Sequence, residues 1–226
     1  MVNQTRETRA TKIFELGGNV YAFDSTTIDL CLSVFWWAKF RRRKGGIKIH
    51  TLYDVETQIP AFFHITEASV HDSKVMKEIP YESGSYYIFD RAYNNFKMLY
   101  KIQQIGAYFV IRAKTNLQYK TIKWKRRLPR NVLSDLTIGL SRFYPKQYYP
   151  GTLRLVKYWD EQQEREFVFL TNATHISALQ VADLYKNRWQ VELFFKWLKQ
   201  HLKIRKFWGT TENAVRIQVY AAICTY

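Results

Sequence analysis

The chain has 226 residues, enough for one large domain or for a core with a smaller addition. Its 35 Lys and Arg residues against 19 Asp and Glu give a formal net charge of +16, which predicts a polyanionic partner, most often nucleic acid. The 17% aromatic fraction argues against disorder, and no apolar run approaches the roughly 20 residues that cross a bilayer, which argues against a membrane partner.

The two cysteines and the first residues bear on the compartment. Cys31 and Cys224 share no metal-ligand spacing with histidine, which argues against zinc. We expect free thiols in a reducing cytosol, and no signal-peptide pattern opens the chain. The sequence therefore predicts a cytoplasmic protein.

The first strand is predicted by VYAFD, which follows Asn19 and ends at Asp24. This placement puts a carboxylate at the carboxyl end of a strand. The simpler alternative is that Asp24 or Ser25 begins a turn or caps a helix.

A basic stretch of four cations and two glycines follows an apolar and aromatic segment, 28–40. We expect 41–46 to form a flexible loop in which Arg42, Arg43 and Lys44 contact phosphate groups of DNA. A solvated loop with no ligand would have the same composition.

Residues 47–112 predict a hairpin and then alternating helices and strands. The predicted elements are strands 47–53 and 59–66, a helix at 69–79, a strand at 86–90, a helix at 95–105 and a strand at 107–112. Asp90 is the last residue of the third of these strands. A second carboxylate is therefore predicted at a strand end.

From 114 to 170, prolines, glycines, basic residues and alternating patterns replace that rhythm. This composition predicts a β-rich insertion rather than a continuation of the alternating strands and helices.

A helix is predicted over 184–203 with two different faces. One face carries Leu184, Val191, Phe194, Phe195, Leu198 and Leu202. The other carries Tyr185, Arg188, Glu192, Lys196, Lys199 and Lys203. This second face is either solvated with ordinary ion pairs, or a metal-binding carboxylate flanked by phosphate-binding cations.

Three carboxylates, Asp24, Asp90 and Glu192, could converge where strand ends meet a packed helix. Carboxylate oxygens are ligands that Mg²⁺ and Mn²⁺ prefer. Two such ions about 4 Å apart can activate a water and stabilise the leaving oxygen of a phosphodiester.

These residues resemble the DDE transposases of the insertion-sequence family four type, over nearly the whole chain. The most specific pattern is Tyr-x2-Arg-x3-Glu-x6-Lys, which Tyr185, Arg188, Glu192 and Lys199 match. The other matches are Asp24 in FDST and Asp90 in FDRAYNN.

The resemblance implies an α/β fold, an RNase H-like mixed sheet flanked by helices and interrupted by the β-rich insertion. The core would consist of 1–113 and a helical part, 171–226, with the insertion at 114–170. Asp24, Asp90 and Glu192 would hold two Mg²⁺ or Mn²⁺ ions. The activity implied is metal-dependent cleavage and strand transfer at insertion-sequence ends.

The resemblance also implies contacts with double-stranded DNA, both transposon ends and target, and a homodimer in the DNA complex. Tyr185, Arg188 and Lys199 would grip phosphates, with Lys196 on the same face. Trp189 would stack on an extruded base, and core packing is an equally good interpretation of that residue. Tyr93 and Asn94 either line the site or begin a helix.

One departure concerns the amino terminus. Full members carry a sizeable DNA-binding region before the first aspartate, and about 20 residues precede Asp24 here. We therefore expect an N-terminally truncated chain, and the last helix pattern also ends without a stop signal. The alternative function is an inactive DNA-binding remnant that inhibits an intact copy.

Overall fold

The computed structural model describes residues 13–41, 44–201 and 207–226, with the backbone alone for 39–41 and 44. The strands, in chain order, are β1 (Val20–Leu30), β2 (Lys39–Arg41), β3 (Lys44–Asp54), β4 (Ile59–Glu67), β5 (Tyr86–Phe89), β6 (Tyr108–Arg112), β7 (Tyr119–Trp124), β8 (Val132–Leu140), β9 (Thr152–Asp160) and β10 (Arg165–Thr171). The helices are α1 (Phe96–Gln104), α2 (Phe143–Tyr148), α3 (Ala178–Lys186), α4 (Trp189–His201) and α5 (Glu212–Cys224), with 3₁₀ helices at Asp72–Glu78 and Arg91–Tyr93.

The chain divides into two compact units. The first is built mainly from Ala22–Ile79 and Trp189–Tyr226, and the second from Pro80–Arg188 with Glu15–Tyr21.

In the first unit, β3 is the central strand. It pairs antiparallel with β2 and β4 and lies beside β1 in the sheet. Aromatic contacts attach the helices, because the ring of Tyr53 in β3 lies 5.6 Å from that of Phe194 in α4, and Phe63 in β4 lies 5.3 Å from Tyr220 in α5. Four residues of the predicted apolar face, Val191, Phe194, Phe195 and Leu198, are therefore buried in this unit. Leu184 is buried in the second unit, and Leu202 lies outside the described residues.

In the second unit the strands follow the order β5-β6-β10-β9-β8-β7. The pair β5–β6 is parallel and the others are antiparallel, so the sheet is mixed. The last strand of the β-rich region, β10, pairs directly with β6. The β-rich character predicted for 114–170 is confirmed, and the division into core and insertion domains stays a prediction.

The hairpin, the strands around 86–89 and 107–112, and the helix beginning after Asn95 agree with the sequence-based elements. Asn95 caps α1 by accepting a hydrogen bond from the backbone N–H of Met98. The helix predicted at 69–79 is a 3₁₀ helix that begins after His71, whose ring accepts a hydrogen bond from the Ser73 N–H.

Two predictions about the first unit are wrong. Asp24 lies in the middle of β1, because the strand continues through 25–27, where β-branched threonines favour extended backbone. Gly45 and Gly46 belong to β3 and not to a flexible loop. A Cβ on Gly45 would lie 2.9 Å from the carbonyl oxygen of Ala38 and 3.0 Å from that of Leu30, so only glycine allows this close approach of strands.

The predicted helix over 184–203 is also wrong as a continuous element. It consists of α3 and α4, separated by a turn at Asn187 and Arg188. The Arg188 N–H donates to the Tyr185 carbonyl, and the Asn187 side chain donates to the Asp183 carbonyl, which closes the last turn of α3. Tyr185 and Arg188 therefore do not share a regular helix face with Glu192 and Lys199.

Among the residues that the structure describes, no helix is long and apolar enough to cross a bilayer. Both cysteines are free thiols and exposed, as predicted.

A buried polar cluster connects β1, β3 and the 3₁₀ helix that begins at Asp72. Asp72 Oδ1 accepts hydrogen bonds from Ser25 Oγ at 2.7 Å and pairs with Lys48 Nζ at 3.0 Å. His50 has no exposed side-chain surface, and its Nε2 lies 3.0 Å from Thr66 Oγ1. Burial lowers the pKa of His50 to about 4, although Asp72, 3.9 Å from Nδ1, opposes that shift. His50 is therefore neutral at pH 7.

We expect the free energy of unfolding to fall as the pH is lowered from 6.5 to 4. Between these values the unfolded chain binds a proton at His50 that the folded chain does not, which costs on the order of 3 kcal/mol in total. Urea denaturation at a series of pH values measures this. His50→Gln should flatten the profile in that window, while His201→Gln, at an exposed position, should leave it unchanged. An equal slope in wild type and His50→Gln would contradict the assignment.

Candidate active site

Asp90 stands at the carboxyl end of β5, as predicted. The strand is fully buried from Tyr86 to Phe89, and the chain then turns into the 3₁₀ helix Arg91–Tyr93, leaving Asp90 half-buried. The neighbouring strand β6 runs parallel, with Phe89 opposite Ile111. Arg112 therefore ends β6 at the level where Asp90 ends β5.

Tyr185 of α3 holds the carboxylate of Asp90. Its hydroxyl donates to Asp90 Oδ1 at 3.0 Å, and its ring packs against Phe169 at 4.8 Å and Phe167 at 5.9 Å. Only 8% of Tyr185 is exposed. The residue expected on the cationic face is thus buried, since the helix break and the aromatic side chains of β10 turn its ring into the second unit.

The same surroundings change the acidity of Tyr185. Its pKa is raised to about 12, mainly by burial; the Asp90 carboxylate also raises the pKa, and Arg188 and Arg112 partly offset the shift. The Arg188 guanidinium lies 5.7 Å from the centre of the Tyr185 ring. The hydroxyl therefore keeps its proton at neutral pH and remains a hydrogen-bond donor to Asp90.

Tyr93 and Asn94, which follow Asp90, support the backbone. Tyr93 is buried against Phe89, with ring centroids 5.9 Å apart. The Asn94 side chain donates to the carbonyl of Arg112 at 2.8 Å and to that of Arg91 at 2.9 Å. These bonds tie the turn after β5 to the end of β6.

Asp24 is half-buried in β1, in the first unit. Its Oδ1 accepts the backbone N–H of Ser25 at 2.8 Å. The Ser25 hydroxyl in turn donates to Asp72, whose pKa is lowered: burial opposes the shift, but the hydrogen bonds from Ser25 and Lys48 outweigh it. Asp72 therefore stays ionised beside the segment that carries Asp24.

The remaining predicted residues differ in exposure. Glu192, Lys196 and Lys199 are exposed on α4, and 49% of Trp189 is exposed, which argues against the core-packing interpretation of this residue. Arg188 is half-buried. Arg42 and Arg43 lie outside the described residues, as does the side chain of Lys44.

The three carboxylates fit a divalent ion by their chemistry, because Asp24, Asp90 and Glu192 offer hard oxygen donors on half-buried or exposed side chains. Within the described parts of the chain, no group of three or more His, Cys, Asp or Glu side chains is arranged to hold a metal ion. Asp24 and Glu192 belong to the first unit and Asp90 to the second. Their convergence stays a prediction.

The structure adds cations that the sequence analysis did not select. Arg91, Arg112 and Lys114 line a cleft beside the Asp90 turn. Their positions in the sequence could have indicated them. Arg91 directly follows Asp90, and Arg112 and Lys114 lie at and just after the end of the next predicted strand.

A family described as "Transposase DDE domain" matches residues 15–226. The chain belongs to the DDE transposase family.

Two related proteins support this membership. The chain is 38% identical over 209 residues to the putative transposase y4zB of Sinorhizobium fredii (strain NBRC 101917 / NGR234), covering 90% of this chain and 58% of that protein. It is 32% identical over 203 residues to the probable transposase for insertion sequence element IS5377 of Geobacillus stearothermophilus, covering 90% of this chain and 54% of that protein. The chain thus spans somewhat more than half the length of these relatives. Membership of the DDE family implies the use of divalent metal ions in general.

A solved structure shares the fold. The piggyBac transposase in a synaptic complex with hairpin DNA superposes with a TM-score of 0.53 at 13% identity, covering 91% of this chain and 45% of that chain. The prediction of a mixed α/β, RNase H-like fold is confirmed, and so is the resemblance to DDE transposases of insertion sequences.

We expect Tyr185→Phe to lower the free energy of unfolding by about 1–2 kcal/mol, because Asp90 loses a hydrogen bond while the ring packing remains. Urea denaturation followed by tryptophan fluorescence measures the loss. Tyr108→Phe, on β6, is the matched control and should change stability little. Equal stability of wild type and Tyr185→Phe would contradict a stabilising role of the hydroxyl.

Proposed function

We propose that the chain is the catalytic domain of a DNA transposase, which cleaves DNA strands at the ends of an insertion sequence and transfers them to target DNA. The observation that carries the proposal is the half-buried Asp90, held by Tyr185 and flanked by Arg91 and Arg112, in a chain of the DDE family. A carboxylate among cations suits a site that holds a metal ion next to phosphate.

Asp24, Asp90 and Glu192 would hold two Mg²⁺ or Mn²⁺ ions. Such ions, when bound, lower the pKa of a water and stabilise the attacking and leaving oxygens of a phosphodiester. The protonated Tyr185 hydroxyl would keep one oxygen of Asp90 oriented.

The exposed side chains of α4 and the preceding turn would hold the DNA. Arg188, Lys196 and Lys199 present cations for phosphate oxygens, and the half-exposed indole of Trp189 can stack on an unpaired base. We propose double-stranded DNA as the partner, at transposon ends and target, and a homodimer in the DNA complex. The related proteins named as transposases support a protein that acts on DNA, and we propose that this chain does so in the cytoplasm.

The alternative is an inactive DNA-binding remnant. The presence of all three carboxylates in the sequence favours the catalytic function over this alternative.

The proposal is tested on a supercoiled plasmid that carries the segment encoding the chain with its natural flanks. Incubation with Mg²⁺ or Mn²⁺ should produce strand breaks whose 3′-OH ends map to the borders of the element. Binding without any metal-dependent break would favour the inactive remnant. Absence of both binding and breaks would remove the proposal.

We expect Asp24→Asn, Asp90→Asn and Glu192→Gln each to reduce cleavage by at least about a hundredfold while leaving DNA binding largely intact, because each removes a predicted metal ligand. Calorimetric titration with Mn²⁺ should show weaker metal binding in the same variants. Asp29→Asn, at an exposed position of β1, and Glu161→Gln, at an exposed position next to β9, are the controls. Cleavage retained in any one variant would remove that residue from the metal site.

We expect Arg188→Ala and Lys199→Ala each to reduce the slope of log affinity for duplex DNA against log salt by about one, because each loses one phosphate contact. Fluorescence anisotropy over a salt series measures this slope. Lys186→Ala, an exposed cation at the end of α3, is the control. Slopes equal to that of the control would indicate that Arg188 and Lys199 are ordinary solvated surface residues that do not contact phosphate.

A further inference from the structure

A basic cleft of about 420 Å³ lies in the second unit, beside the turn that follows Asp90. It lies between the turn after β5, the end of β6, and strands β7, β9 and β10. Among the described residues that line it, four are cations and one is a carboxylate: Arg91, Arg112, Lys114, Lys157 and Glu166. Its apolar wall includes Leu155 and Val168. The lining is therefore strongly positive over a small volume.

Arg112, which lines the cleft, is held in place. The Arg112 guanidinium carbon lies 5.0 Å from the centre of the Phe167 ring, and that of Arg165 lies 4.3 Å from the same ring. Cation–π contacts orient a guanidinium without using its N–H donors. The Arg112 backbone is also fixed, by the Asn94 side chain. The donors of Arg112 thus remain available to an acceptor in the cleft.

Arg91 supplies a second, independent observation. Its Nε is buried and has no hydrogen-bond acceptor among the described residues. A buried donor without an acceptor is costly, so a shift of the Arg91 side chain that brings Nε to an anion in the cleft would be favourable. This atom belongs to the residue directly after Asp90.

The charges of the other wall leave the cleft positive. Lys157 Nζ lies 3.7 Å from Glu166 Oε1, a partly exposed pair that neutralises one cation. Lys114, which follows β6, is exposed and lines the same cleft. A concave surface of one charge sign concentrates oppositely charged ligands.

The size of the cleft indicates whether it can hold single-stranded or double-stranded DNA. A volume of about 420 Å³ is in the range of small-ligand sites and takes a short piece of one strand rather than a duplex. Arginine and lysine side chains beside an apolar wall suit phosphate oxygens joined by sugars.

We propose that this cleft binds the phosphodiester backbone of a single DNA strand, and that Arg91 and Arg112 guide the strand to Asp90. The proposal rests on the proposed function and names the groups by which the same site holds its substrate. The cleft belongs to the second unit alone, whereas the proposed cleavage would use carboxylates of both units.

The test is fluorescence anisotropy of a short single-stranded oligonucleotide over a salt series, with the full chain. Arg112→Gln and Lys114→Gln should each reduce the salt slope by about 0.7 and weaken binding about fivefold at roughly 0.1 M salt, as expected for one lost contact to a single strand. Glu166→Gln should strengthen binding, because it removes the carboxylate of the lining. Lys101→Gln, an exposed cation on α1, is the matched control.

Binding by the cleft variants equal to that of Lys101→Gln, with Glu166→Gln unchanged, would overturn the proposal. The proposal would also be overturned if inorganic phosphate, at matched ionic strength, displaced the labelled oligonucleotide as well as an unlabelled oligonucleotide does. That result would assign the cleft to free phosphate. Thermal melting of each variant shows whether weaker binding results from misfolding. Because Lys114 is exposed, its replacement should not unfold the chain, so Lys114→Gln still tests the proposal if Arg112→Gln unfolds. If the cleft variants bind the oligonucleotide normally and the chain still cleaves DNA, only this inference is wrong. If the wild type neither binds nor cleaves DNA, the proposed function is wrong.

Discussion

The hydrogen bond from the Tyr185 hydroxyl to Asp90 joins parts of the second unit that are distant in the sequence. It connects α3 to the end of β5, and the Tyr185 ring rests on the phenylalanines of β10. A buried hydroxyl needs an acceptor, and a carboxylate accepts more strongly than a neutral group. The position of Asp90 therefore depends on β10, so the β-rich region takes part in building the site.

A comparable arrangement supports the other aspartate. In the first unit the Ser25 hydroxyl donates to Asp72, and the Ser25 N–H donates to Asp24. Lys48 pairs with Asp72, and the neutral His50 fills the space behind it. Asp90 thus accepts a hydrogen bond from a hydroxyl, and Asp24 lies next to Ser25, whose hydroxyl donates to the carboxylate of Asp72. Hydrogen bonds of this kind restrict side-chain rotation, which would keep the geometry constant if these aspartates hold metal ions as we propose.

The cations around the second aspartate have separate tasks in the proposed function. Arg188 and Arg112 moderate the pKa of Tyr185 and keep positive charge close to Asp90. Arg91, Arg112 and Lys114 line the cleft that we assign to a DNA strand. The excess of basic residues, visible in the composition alone, is therefore concentrated in part beside the carboxylate at which cleavage is proposed.

Local features of the sequence determined much of this protein. The buried run 86–89 followed by Asp90, the hairpin of β3 and β4, and the spacing from Tyr185 to Lys199 follow from short stretches of residues and led to the correct fold class and family. Contacts between distant residues decided that β1 continues through Asp24 beside β3 and that Tyr185 is buried on β10. The turn at Asn187, which divides the predicted helix, is closed by local hydrogen bonds that the periodicity did not predict. Periodicity reports which face of an element is apolar, but it does not report which partner covers that face. Burial of Tyr185 and the lining of the basic cleft depend on such partners, and only the tertiary structure supplies them.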